Sequence, residues 1–493
     1  MSDRRNSIAP PSHRAILPTV KPTLVSLLRL VVPDFCVVMK HPLTALIICS
    51  GLSFTGFASE GENPVVPPIR FQHRTLANGL NIYSVEDHSS PTVAIAVWYH
   101  VGSKDDPAGR SGFAHLFEHM MFKGTKNMQP EMIDRLTEDV GGSNNAFTES
   151  DVTVFHETVP SNYLETLLWA EAERMSSLVV NEANFRSERA VVEEEFRQRV
   201  LAQPYGEFGE LIEKKSFAVH PYKRPTIGNI AELEAAKLKD VLSFHATYYR
   251  PDNATVIVVG DFDAKQLDGW ADRYFGPVQK PKGEIPRVKV REPDRKQEKR
   301  IIECNPKIPF PALAVTYLGP QAVSEDSFAL ELAEEILAGG ESSRLYQELV
   351  YRKQLASSVS FGAQLREDLG LLAFKVVMAS GKSVTEAEHA FLEEIGKMRE
   401  TPVGEAELNK AKNRVLTRKL HGRETFEGKA IALGEAAVLL GDATRMNSDL
   451  NRLSGVKPED IQRIIRRYME DNRRLVMDYE PKPAAVVKKG AKQ

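Results

Sequence analysis

The 493-residue chain has only three cysteines, no long block of one charge sign, and no apolar run long enough to cross a bilayer comfortably. Cys36 and Cys49 fall in an N-terminal stretch that reads as removable, which leaves Cys304 alone and excludes a disulfide framework. The 64 basic and 67 acidic residues are mixed along the chain, with a formal net charge of -3. That balance lacks the basic footprint of a nucleic-acid binder, so no nucleic-acid partner is expected. The apolar stretch from about Pro42 to Phe54 falls short of a transmembrane helix, so no stable span is expected in the mature chain. What remains is an ordinary globular composition, 42% hydrophobic and 27% charged, at a length that points to two similar-sized domains plus extensions.

The first sixty residues differ from the rest. Met39 and Lys40 precede the apolar stretch, and Gly56 and Ala58 follow at the spacing of a signal-peptidase site. This order favours an export signal beginning at Met39, with residues 1–38 as an upstream extension and a mature start near Ser59. The expected location is a bacterial periplasm. The alternative is a mitochondrial presequence and a matrix location, because residues 1–30 carry five Arg or Lys and only Asp3 as an acid.

The body divides around "GPVQKPKGEIPRVKVREPDRKQEKR", residues 276–300, rich in Pro and charge and reading as an exposed linker. The flanking segments end alike, in "LKDVLSFHATYYRPDNATVIVVGDF" and "PEDIQRIIRRYMEDNRRLVMDYE". Asp240, Tyr248 and Asn253 match Asp460, Tyr468 and Asn472. They also open alike, with the strand-like "TVAIAVWYHVGS" and "FPALAVTYLGP" leading into helical segments. The expectation is an α+β protein of two duplicated α/β-sandwich domains, each a mostly antiparallel sheet packed against helices. The expected boundaries are 1–59 for the extension and signal, 68–276 for the first domain, 277–300 for the linker, 301–483 for a second homologous domain, and 484–493 for a basic tail.

The chemistry concentrates in "SGFAHLFEHMMFKGT". On a helix, residues at i, i+3 and i+4 share a face, so His115, Glu118 and His119 project together while Phe113, Leu116 and Phe117 bury the other side. Two imidazoles one turn apart can chelate zinc, and a carboxylate beside them can take a proton from the attacking water. A catalytic zinc site needs a third protein ligand. The best source is "NFRSERAVVEEEFRQRV", in which Glu193 and Glu194 read as a solvated acidic face. Glu188 and Glu195 lie seven residues apart on another face.

"HLFEHMMFKGT" resembles the inverted His-x-x-Glu-His motif of the pitrilysin and insulinase metallopeptidases, the inverzincins. "GGSNNAFTESDVTVFHETVP", "ERAVVEEEFR", "HPYKRPTIG" and "YYRPDNATVIVVGDF" resemble further family segments in the same order. The resemblance runs from about residue 70 to 483. It is nearest to the two-domain subclass that includes mitochondrial processing peptidase and bacterial periplasmic relatives. It implies a zinc-dependent endopeptidase with one Zn²⁺ per chain held by His115, His119 and Glu195, with Glu118 as the base and Glu188 supporting the site from behind. It also implies that Asn145 and Ala146 lie on an edge strand beside the scissile bond of an extended peptide, although Asn145 also reads as a turn residue. His100, His156 and His220 read as structural or loop residues.

The second half departs from the family pattern in "ILAGGESSRLYQELVYRKQLASSVSF". Where self-sufficient members carry an Arg and, seven residues later, a Tyr, this chain has Val350 and Ser357. Arg344 and Arg352 lie nearby but off that register. The departure implies the catalytic subunit of a heterodimer whose homologous partner lacks zinc and supplies Arg and Tyr; a homodimer using another residue is the rival. A non-catalytic scaffold subunit of the same fold is the alternative function, and a metal-storage or sensing protein fits the open site less well.

Overall fold

A computed structural model describes residues 67–481. The export signal at Met39, the rest of the N-terminal extension and the basic tail 484–493 lie outside the described residues. Among the described residues, eleven strands form two sheets. The first comprises β1 (Gln72–Thr75), β2 (Asn81–Glu86), β3 (Thr92–Tyr99), β4 (Ser143–Thr148), β5 (Thr153–Pro160) and β6 (Ala254–Gly260), in the order β1-β2-β6-β3-β5-β4. The second comprises β7 (Lys299–Asn305), β8 (Ala312–Gly319), β9 (Ala356–Gln364), β10 (Gly370–Met378) and β11 (Leu475–Pro481), in the order β7-β11-β8-β10-β9.

Apart from β1, the two orders are the same. β6 runs parallel to β2 and antiparallel to β3, and β11 runs parallel to β7 and antiparallel to β8. The matching helices are also capped alike. Asp240 accepts the Lys237 N–H at 3.2 Å at the start of the Leu238–Tyr248 helix, and Asp460 accepts the Lys457 N–H at 3.0 Å at the start of the Pro458–Tyr468 helix. Each helix ends at its matched tyrosine, and a short 3₁₀ turn leads into the central strand. The two α/β units are therefore duplicates in topology, with mostly antiparallel sheets, as the sequence indicated.

The central strands read as continuous apolar runs, "TVAIAVWY" and "ATVIVVG", because both faces of each sheet are covered. One face of the first sheet packs on its own helices through Val93, Ile95 and Val97, against Phe113, Leu116 and Phe117. Its other face, with Ala94, Ala96 and Trp98, receives the Phe426–Gly434 helix from the second half. A Cβ at Gly434 would lie 2.1 Å from the Trp98 indole, so the close approach requires glycine there. The exchange is reciprocal. The Gly206–Ser216 helix of the first half lays Phe208 and Ile212 on Ala312, Ala314, Leu371 and Ala373 of the second sheet.

Polar contacts join the halves near the β9–β10 turn. Lys104, 4% exposed, meets Asp151 at 2.9 Å and also Glu367, which His100 contacts at 2.9 Å. Tyr222 donates to Asp151 at 2.6 Å and accepts the Asp368 N–H at 3.1 Å, while His220 Nε2 lies 3.3 Å from Asp368. His156 pairs with Glu427 at 2.6 Å, so all three of these histidines connect the two halves. The Pro-rich connection is mostly exposed, yet it is pinned rather than loose. Arg287 donates to the His100 carbonyl at 2.7 Å, Glu292 accepts the His220 N–H at 2.8 Å, and Arg295 donates to the carbonyls of Ser216 and Thr316, each at 2.7 Å.

Candidate active site

The Phe113–Met120 helix starts where Asp106 accepts the N–H groups of Gly112 at 2.7 Å and Ala114 at 2.8 Å. Burial pushes the Asp106 carboxyl up to about 7, against the lowering effect of those two donors. Gly112 takes φ 97° and packs on Gly228, where a Cβ would collide with backbone, so a second segment presses on the helix start. Phe113, Leu116 and Phe117 are fully buried. Their burial turns His115, Glu118 and His119 toward the opposite side, as the helical spacing indicated.

The Glu182–Phe196 helix crosses this face. Asn181 caps it by accepting the Asn184 N–H at 2.9 Å, and Phe185, Val192 and Phe196 bury one side. Glu195 Oε2 lies 3.6 Å from His115 Nε2 and 3.3 Å from His119 Nε2. Three donors bonded tetrahedrally to zinc at about 2.0–2.2 Å stand about 3.3–3.5 Å apart, so Glu195 stands from each imidazole close to the spacing of a zinc ligand pair, and all three ligand atoms lie within 4.8 Å of one another. Among the described residues, no other group of three or more His, Cys, Asp or Glu converges in this way. Burial, then the nearby His119 and Arg199 charges, hold the His115 imidazole down at about 3 in the metal-free chain, so it is neutral and able to ligate. The donor set therefore fits zinc.

Glu118 sits beside this cluster. Burial pushes its carboxyl up to about 6, opposed by the Thr148 hydroxyl, which donates to Oε2 at 2.6 Å. Glu188, 5% exposed, places Oε2 3.8 Å from His119 Nδ1 and receives Lys123 Nζ at 2.9 Å on its other oxygen. Glu194 is exposed and pairs with Arg197 at 3.3 Å, as a solvated face would, whereas Glu193 is largely covered, its side chain 13% exposed between Arg189 at 3.6 Å and Arg197 at 3.5 Å. Asn145 and Ala146 lie on β4, the outer strand of the first sheet, opposite His156 and Phe155 of β5. Asn145 Oδ1 accepts the Ala146 N–H at 2.8 Å.

Three contributors were not singled out from the sequence. Thr148 reaches Glu118 from β4, Lys123 reaches Glu188, and Arg199 meets Glu195 Oε1 at 2.6 Å. Lys123 lies in the turn after the helix ends at Met120, and neither it nor Thr148 gives a signal until the chain is folded around the helix.

The second half carries charge pairs in the corresponding place. The Asp326–Ala338 helix follows β8 as the histidine helix follows β3, and it presents Glu331 and Glu335 to the Glu405–His421 helix. Glu335 pairs with Arg414 and, at 3.0 Å, with Arg418, while Glu331 meets Lys419 at 3.0 Å. These carboxylates are neutralised by protein cations instead of converging with histidines.

A family profile described as "Insulinase (Peptidase family M16)" matches residues 81–229, and one described as "Peptidase M16 inactive domain" matches residues 235–415. The chain belongs to the M16 family of insulinase- and pitrilysin-type peptidases. It is 29% identical over 415 residues to a protein of Helicobacter pylori named zinc protease PqqE, covering 83% of this chain and 92% of that one. It is 22% identical over 406 residues to an Arabidopsis thaliana protein named probable mitochondrial-processing peptidase subunit beta, covering 80% of this chain and 76% of that one. The crystal structure of a protease from Helicobacter pylori superposes with a TM-score of 0.81 at 27% identity, covering 84% of this chain and all of the other.

Proposed function

We propose that this chain is a zinc-dependent endopeptidase that cleaves peptides or unfolded segments and serves as the catalytic subunit of a heterodimer. The observation that carries the reading is the convergence of His115 Nε2, His119 Nε2 and Glu195 Oε2 beside the half-buried Glu118. Relatives named zinc proteases support it.

His115, His119 and Glu195 would hold one Zn²⁺, which when bound supplies Lewis acidity toward the peptide carbonyl and toward water. Glu118 accepts the proton of the attacking water and returns it to the leaving amine. Its raised affinity for a proton suits both transfers. The Thr148 hydroxyl fixes one carboxylate oxygen, leaving the other to work. Glu188 orients His119 through the ring nitrogen turned away from the ligand cluster, with Lys123 balancing its charge. The outer edge of β4 takes the extended substrate by strand addition, with Asn145 and Ala146 beside the scissile bond.

The heterodimer reading draws its support from the second half. Val350 packs into the core, and Ser357 donates to the Val377 carbonyl at 3.2 Å. Arg344 is engaged by Glu407 at 2.8 and 2.6 Å, and Arg352 by Glu348 at 3.1 Å. None of these four residues offers a free guanidinium or phenol, which supports a homologous partner subunit carrying Arg and Tyr. The export signal and a periplasmic location belong to the same proposal; among the described residues, no helix is long and apolar enough to cross a membrane.

Assay of the purified chain alone and with a co-expressed paralogue tests the reading. Activity that needs the paralogue and vanishes in Glu118→Gln supports it. Full activity from this chain alone removes the obligate partner, and unchanged activity in Glu118→Gln removes the assigned base.

A further inference from the structure

A cleft of about 390 Å³ opens between the first half and the second sheet, lined by Arg199, Glu210, Thr226, Gln364 and Lys375 among others. It adjoins the candidate active site, because Arg199 meets Glu195 and the Thr226 segment runs into Gly228, which packs on the start of the histidine helix. Side chains alternate along β10, so Lys375 shares a face with Leu371 and Ala373, the two residues on which the Gly206–Ser216 helix rests. Lys375 therefore emerges where the apolar contact between the halves ends and the cleft begins.

Its charge has no counterpart there. Lys375 makes no ion pair or side-chain hydrogen bond among the described residues. The other cation of the cleft, Arg199, is held by Glu195. Across the cleft, Glu213 is taken by Arg366 and Glu207 accepts from Asn305. Glu210 is the remaining carboxyl, and burial together with Glu207 and Glu213 pushes it up to about 7, so near neutrality it is only partly charged. A half-buried ammonium without a partner, in a cleft that reaches the ligand cluster through Arg199, is suited to receive an anion.

We propose that Lys375 forms a carboxylate-binding subsite for the peptide, receiving either its C-terminal carboxylate or an acidic side chain. The proposal rests on the peptidase reading but not on the partner subunit. Lys375 is a specificity residue, remote from proton transfer, so its loss changes KM more than kcat.

The test measures binding by fluorescence anisotropy in the Glu118→Gln background, which prevents turnover. The probe is a fluorescein-labelled twelve-residue peptide with three Glu and a free C-terminus. Its C-terminal amide and its Glu-to-Gln version are run separately, and a form with both changes serves as the neutral control. Lys375→Gln is expected to weaken binding of the acidic probe about tenfold and to leave the neutral control unchanged, while Lys375→Arg retains most of the affinity. The single change that abolishes the lysine's effect identifies which carboxylate is bound. Equal affinity of Lys375→Gln and its parent for the acidic probe overturns the subsite, as does failure of the parent to bind that probe. A peptidase reading that fails shows itself differently, as a wild-type chain that holds zinc and binds the probe yet hydrolyses nothing even with the co-expressed paralogue.

Discussion

Thr148 donates its hydroxyl to Glu118 Oε2 at 2.6 Å, joining the outermost strand of the first sheet to the carboxylate beside the ligand cluster. The strand proposed to take substrate therefore also fixes the proposed base. Thr148→Val removes the donor and keeps the shape. It is expected to lower kcat by about tenfold to a hundredfold while zinc content stays at the wild-type level, the cost of a hydrogen bond to a charged group. A variant with full kcat would mean that Glu118 does not depend on this contact.

Lys123 and Glu188 act on His119 from behind. Lys123→Gln leaves a nearly buried carboxylate without its cation, and Glu188→Gln removes the charge facing His119 Nδ1. Each is expected to weaken zinc affinity by about tenfold to a hundredfold, measured by competition with a chelator of known affinity. Wild-type affinity in both would reduce the pair to a packing role.

Behind β5, Arg174 is wholly enclosed with Glu157 at 2.8 Å and Glu171, and all three side chains are at most 1% exposed. Burial and then the Glu171 charge push the Glu157 carboxyl well above the ordinary range, opposed by the Arg174 guanidinium. Arg174→Ala strands a buried carboxylate and is expected to cost about 3–5 kcal/mol in urea unfolding. A loss under about 1 kcal/mol would show that the cluster adjusts its protonation at little cost.

The contact between halves gives a pH signature. Burial alone would raise the Glu367 carboxyl, but hydrogen bonds and charge from His100 and Lys104 overcome it and hold the group at about 2, below its ordinary 4.5. A carboxyl depressed on folding stabilises above its unfolded value and loses that contribution as pH falls through its folded one. Stability is therefore expected to drop as pH falls from 4.5 toward 2, and Glu367→Gln is expected to flatten that drop. Thermal unfolding across this range checks it; parallel curves for the two proteins would place the acid sensitivity elsewhere.

The site was legible where its geometry is local. His115, Glu118 and His119 share a face because they are three and four residues apart, and the burial of Phe113, Leu116 and Phe117 follows from the same spacing. Glu195 lies on a separate helix, and only the ordered resemblance chose it among four nearby carboxylates. Thr148 and Arg199 stayed hidden because their roles depend on how a strand and a helix end approach the histidine helix. In the fold, the matched ends at Tyr248 and Tyr468 showed the duplication. The exchange of covering helices through Phe208 and Phe426 did not show, because an apolar helix face does not say which sheet it will cover. Nor did the anchoring of the charged connection: Arg287, Glu292 and Arg295 read as solvated, yet each finds a partner on a half it joins.

Zinc stoichiometry bears most directly on the central claim, measured by mass spectrometry on the purified wild-type chain and on His115→Ala, His119→Ala, Glu195→Gln and Glu118→Gln. The expected result is one zinc per wild-type chain, retained in Glu118→Gln and largely lost in the other three. Full zinc in Glu195→Gln would show that another group completes the site, and a wild-type chain that takes up no zinc would contradict the account.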